Sequence, residues 1–185
     1  MRKKKVNSPH EELVMDIRNQ GVTDLLETIL KIDDKNYMDF INDAIDILPI
    51  GFFIQPASSS GKYHPDYAAG LGGLVKHTKA ACLYAEILFP IYRFKASTKN
   101  SIRCALVLHD IAKPDKNHPI LAKLILEPLR NKYGKIFDEV IPLIESHMGQ
   151  WDKYGKLPTP ITEAQKFVHL CDYLASRKEL NIPIR

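Results

Sequence analysis

CALVLHD, residues 104–110, is the stretch on which the reading of this chain turns. Five apolar residues run unbroken into a histidine and an aspartate. A run of this kind, inside a segment of helical periodicity over 97–112, is expected to be buried, and a carboxylate at its end needs a partner. Lys113, three residues on along the same face, is one candidate, and a metal ion is another. Adjacent residues on a helix point about 100° apart, so His109 and Asp110 reach one ion only if it lies over their shared edge. Imidazole nitrogen with carboxylate oxygen suits Fe, Mn, Zn, Co or Ni better than Ca or Mg, which prefer oxygen alone.

Outward from this pair, four more potential ligands stand at workable intervals: His77, His118, His147 and Asp172. Each has an ordinary alternative. His77, between Leu74 and Cys82, can be a satisfied core histidine. His118 precedes Pro119, where it can cap a helix, and His147 precedes a glycine, where a helix dipole favours it. Asp172 lies within the apolar pattern KFVHLCDYLASRK, where an acid needs a reason. Together they place four of the chain's seven histidines in one metal-binding pattern, which the separate alternatives do not explain.

Helical signals dominate the rest of the chain. Ser8-Pro9-His10-Glu11 reads as a capping box opening a short helix that ends at Gly21. Thr23 caps a second helix with Leu25, Leu26, Ile29 and Leu30. A third covers 34–48, with Tyr37, Phe40, Ile41, Ala44, Ile45 and Leu48 at 3–4 spacing, stopped by Pro49. Residues 49–73 read as a long irregular stretch, rich in aromatics and so expected to be functional rather than disordered. Further helices follow over 73–89, 97–112 and 120–132. Gly134 then separates off a helix over 136–148, bent at Pro142, and the last spans 161–179. No strand pair, repeat or low-complexity tract stands out. The expectation is an all-α single domain over 1–185, a bundle of about eight helices, with a basic, flexible start at 1–7 and a metal-site core at 72–177.

At 185 residues, 45% hydrophobic and 26% charged, the chain is the size of one globular domain with a real core. No apolar run approaches the roughly 20 residues that span a bilayer, so no membrane association is expected. No apolar stretch follows Arg2-Lys3-Lys4-Lys5, so that start is not a secretory signal. These four residues account for the whole net charge of +4, which leaves no global field for duplex nucleic acid. Cys82, Cys104 and Cys171 are odd in number, lack a CxxC spacing and lie in apolar helical contexts. They read as buried thiols of a cytoplasmic protein.

GGLVKHT at 72–78, HDIAK at 109–113, HPILA at 118–122, ESHMGQW at 145–151 and CDYLASR at 171–177 resemble the HD-domain superfamily of metal-dependent phosphohydrolases. The order His, His-Asp, His, His, Asp is similar to members with two metals. The resemblance implies that His77, His109, Asp110 and Asp172 hold the first ion, and that His118 and His147 join Asp110, as a bridging carboxylate, around the second. The GGLxxHT entry looks like that of HD-domain 3′-to-5′ exoribonucleases. The chain leaves no room for the nucleic-acid-binding domain those enzymes carry upstream, so single-stranded nucleic acid is not the favoured partner. The PASSSGKYHP stretch is similar to one in small bacterial and phage HD proteins. No GYP triplet follows the ligands, which disfavours the cyclic-di-GMP phosphodiesterase subgroup. Eight residues from Asp110 to His118 require a tight turn around Pro114.

The implied function is hydrolysis of a nucleotide or other small phosphoester through a water activated by two divalent transition-metal ions, Fe or Mn foremost, with Zn, Co or Ni as alternatives. Asp110 and Lys113 are the expected catalytic residues, Lys113 as a phosphate contact or general acid. Lys62 and His64 in the serine-rich loop, Gln150, and Ser176 and Arg177 beyond Asp172 are the expected substrate contacts. Trp151 offers a stacking surface for a base or sugar. His169, three residues before Asp172, reads as a packed histidine or a support to a ligand. Two other functions fit the same ligands: a mixed-valent di-iron oxygenase, and a non-catalytic nucleotide sensor or interaction domain stabilised by metal.

Overall fold

The structure is a computed structural model describing residues 9–58, 64–152 and 155–180. Among these residues it is all-helical, with no strand: α1 Pro9–Ile29, α2 Lys35–Asp46, α3 Ile50–Ile54, α4 Gly73–Leu88, α5 Ala96–Leu108, α6 His118–Leu126, α7 Arg130–Ser146 and α8 Glu163–Ala175, with single 3₁₀ turns at Asp66–Ala68, Glu127–Leu129 and Gly149–Trp151. None of the helices is long and apolar enough to cross a membrane. The expected start at 1–7 and the Ser8 cap lie outside the described residues.

Helix α4 sits at the centre. It is buried along nearly its whole length, including Leu74, Val75, Ala80, Ala81 and Ala85, and packs against α1, α3, α5 and α8. Small residues on this helix let its neighbours approach closely. The other side of α5 meets α7, which in turn carries α6. Helix α2 buries Tyr37, Phe40, Ile41, Ala44 and Ile45 at the 3–4 spacing seen in the sequence. Its first turn is capped by Asp34, whose side chain accepts from the Asn36 amide at 2.8 Å. Thr162 and Gln165 form a reciprocal capping box at the start of α8, which therefore begins at Glu163 rather than at 161 and ends at Ala175 rather than at 179.

Helix α5 ends at Leu108 rather than at 112, and α6 spans His118–Leu126 rather than 120–132; three further differences from expectation each have a local reason. The two helices expected at the N-terminal end are one, because α1 runs through Gly21. A Cβ there would come within 2.7 Å of the Phe53 ring, so this glycine admits an aromatic neighbour and ends nothing. The stretch 49–73 is not wholly irregular: α3 buries Phe52 and Phe53. The break before α7's main body falls at Tyr133 (φ −124°, ψ 28°), one residue ahead of Gly134.

Cys82, Cys104 and Cys171 are free and buried. Burial pushes the Cys82 thiol up to about 12, so it stays protonated and inert in the folded protein.

Candidate metal centre

All six residues singled out in the sequence converge at the junction of α4, α5, α6, α7 and α8. His77 comes from within α4 and Asp172 from within α8. His109 is the C-cap of α5, and Asp110 follows in the turn beyond it. His118 is the first residue of α6, and His147 is the C-cap of α7. The eight-residue interval to His118 is closed by successive tight turns, Lys113 N–H to Asp110 O at 3.0 Å, Asp115 N–H to Ala112 O at 3.3 Å and His118 N–H to Asp115 O at 3.1 Å.

Two overlapping groups result. In the first, His77, His109, Asp110 and Asp172 each offer a ligand atom within 4.8 Å of the others. His77 Nε2 is 2.9 Å from Asp172 Oδ1 and 3.6 Å from Asp110 Oδ2, while His109 Nε2 is 3.3 Å from Asp110 Oδ2 and 3.5 Å from Asp172 Oδ1. In the second group, Asp110, His118 and His147 meet the same 4.8 Å limit. His118 Nε2 lies 3.0 Å from Asp110 Oδ1, and His147 Nε2 lies 3.5 Å from the same oxygen. Asp110 thus turns one carboxylate oxygen to each group.

The histidine tautomers decide whether these groups suit a cation. His109 Nδ1–H donates to Leu106 O at 2.7 Å, His118 Nδ1–H to Asp115 O at 2.8 Å and His147 Nδ1–H to Ile144 O at 2.7 Å. With Nδ1 committed as donor, the neutral ring presents a lone pair from Nε2. The Nε2 atoms of His118 and His147 are then 3.2 Å apart, lone pair facing lone pair. Asp110 Oδ1 and His109 Nε2 receive no directed hydrogen bond, and the cation beside Asp110 Oδ2 is the Lys113 ammonium. Acceptors that converge in this way, buried away from water and outnumbering the donors beside them, fit a positive ion between them.

Electrostatics agree. Burial opposes ionisation of Asp110, yet His109 and Lys113 beside it hold its carboxyl well below the usual carboxylate range. Asp172 is likewise held low against its burial, by His109 and His77. Burial opposes a proton on His109, but Asp110 and Asp172 together push it up to about 10. Without a cation, the carboxylates draw a proton onto the imidazole, and a divalent ion displaces that proton. Burial pushes His147 down, towards the neutral, ligating form.

Lys113 Nζ is 2.6 Å from Asp110 Oδ2. It lines a cavity of ≈ 540 Å³ with His64, His118, Lys116 and Met148. His64 is brought to the centre: its ring lies 5.2 Å from that of His77, and burial, with His77 and Lys113 nearby, pushes it down to about 4. Lys62 lies outside the described residues. Ser176 Oγ donates to Tyr173 O at 2.8 Å, ending α8, and the Arg177 guanidinium lies over the Tyr173 ring. Gln150 is not brought to this cavity. It lines another, with Trp151, on the outer side of α8, because the 3₁₀ turn at Gly149–Trp151 carries the chain away from His147.

His169 does more than pack. Its Nδ1–H donates to the backbone oxygen of His147 at 2.6 Å, tying the end of α7 to the helix that carries Asp172. The i, i+3 spacing from His169 to Asp172 was the signal available in the sequence.

A family model described as HD domain matches residues 74–177, more than half of the chain and the whole of the ligand set. No curated protein and no solved structure matches.

Proposed function

Because this chain belongs to the HD-domain family, which falls in a superfamily of metal-dependent phosphohydrolases, we propose that it hydrolyses a nucleotide or another small phosphoester with two divalent transition-metal ions, Fe or Mn foremost. The observation that carries this reading is the sharing of Asp110: one buried carboxylate, one oxygen towards each of two ligand groups. Two adjacent ions supply a water of lowered pKa and a clamp on the phosphoryl oxygens.

The chain's own groups supply the rest. Asp110 would help to hold both ions. His109, His118 and His147 are held in one tautomer by carbonyls of their own helix or turn, so their geometry is fixed before substrate arrives. Lys113 stands where the buried centre opens to the cavity, its charge secured against burial by Asp110 and Asp172. There its ammonium donates to a non-bridging phosphoryl oxygen and balances charge as the ester bond breaks. His64, neutral and with Nδ1 lacking a protein partner, is placed to hydrogen-bond substrate in the same cavity. Walls of this chemistry favour a small anionic ligand.

The test is a phosphoester panel run with Mn- and Fe-loaded protein, oxygen uptake being followed in parallel. Hydrolysis of a panel member, to free phosphate from a monoester or to a monoester from a diester, without oxygen uptake supports the reading. Iron-specific oxygen consumption without phosphoester hydrolysis contradicts it and favours oxygenase chemistry at the same ligands.

A further inference from the structure

Trp151, the chain's one tryptophan, is 53% exposed. It stacks on Tyr173, with ring centroids 5.9 Å apart and planes 14° apart, while the Arg177 guanidinium carbon lies 4.1 Å from the Tyr173 centroid. The His169 ring is tilted 36° to the indole at 5.9 Å. Tyr92 and Phe167, in edge contact at 4.7 Å, complete the aromatic walls, and Gln150 joins them. These residues other than Arg177 line a cavity of ≈ 500 Å³. None of its lining residues is a candidate metal ligand, and none lines the cavity in front of Asp110.

We propose that this cavity is a second ligand site, for a planar heteroaromatic ring of the nucleobase kind. Its volume is in the range of small-ligand pockets, about 300–1,000 Å³, and holds a nucleoside with room to spare. Trp151 and Tyr173 form a flat stack whose outer member is open, which suits another flat ring more than a branched aliphatic group. The polar groups suit an edge that carries both donors and acceptors. The Gln150 carboxamide offers both, and His169 Nε2 is an acceptor because Nδ1 gives its proton to His147 O. Lys166 and Glu163 also line the cavity. Through that His169 bond, a ligand here sits against the group that steadies a metal-centre histidine. The site stands or falls independently of the phosphohydrolase reading.

Adenosine is a suitable probe, since it carries the ring without a phosphate for the metal centre, and the single tryptophan reports on the cavity itself. Titration of the full chain, metal-loaded and after chelation, is expected to give saturable quenching of Trp151 fluorescence in both states. By calorimetry, Trp151→Leu is expected to weaken adenosine about five- to a hundredfold. Gln150→Ala, at an exposed position that leaves the fold intact, is expected to weaken it about two- to tenfold. Absence of quenching up to the solubility limit, quenching confined to the metal-loaded protein, or unchanged affinity in folded Gln150→Ala would each overturn the assignment.

Discussion

His77 and Asp172 project from inside α4 and α8, two helices packed against each other in the core, whereas His118 and His147 sit at the first residue of α6 and the last cap of α7. Helix interiors are held on all sides, while helix ends depend on the loops that follow or precede them. The second group accordingly relies on added ties: three tight turns between Asp110 and His118, and the His169 bond to the His147 carbonyl. The difference lies in how each group is held: the first by two helix interiors together with the α5 C-cap His109, the second by helix ends and their ties. Asp110 belongs to both.

That contrast can be broken most severely at Asp110. Asp110→Ala is expected to lose both ions and all activity, seen as metal content near zero with helical circular dichroism retained. Full occupancy or unchanged turnover in this variant would end the bridging assignment. Two glycines give the next largest effect, one beside each group. A Cβ at Gly73 would meet the Ala68 oxygen at 2.2 Å, and a Cβ at Gly149 would meet the Pro158 oxygen at 1.8 Å. Each alanine substitution is expected to cost about 3 kcal/mol of stability by overpacking, measurable by denaturant titration. Gly149→Ala should also weaken the second ion preferentially.

His118→Ala sharpens the comparison without disturbing the core. It is expected to remove about one ion per chain and leave the first group loaded; loss of both would mean that the groups are not separable. The smallest effect is expected from His169→Ala. Loss of its hydrogen bond should weaken the second ion about ten- to a hundredfold in a competitive chelator titration, with the first ion unaffected. Equal weakening of both would make His169 a general core residue.

The convergence of the six candidate ligands was legible in the sequence because so many His and Asp residues in apolar helical contexts are hard to explain one by one. The lengths of α2 and α4 were legible because their apolar periodicity matched their packing. Gly21 misled, since a glycine that admits the Phe53 ring looks the same in sequence as one that ends a helix. Gln150 stands away from the cavity in front of Asp110 for another reason. Adjacency to a candidate ligand in sequence does not survive a 3₁₀ turn, and Gln150 and Trp151 face a different cavity. His169 carried the spacing of a support residue, but its acceptor is a backbone oxygen on α7, 22 positions away, which no local pattern encodes.

Metal content of the unaltered chain, measured by inductively coupled plasma mass spectrometry before and after reconstitution with Mn or Fe, tests the central claim most directly. About two transition-metal ions per chain are expected. A ceiling of about one, unaltered in His118→Ala, would contradict the second group, and none at all would contradict the metal centre.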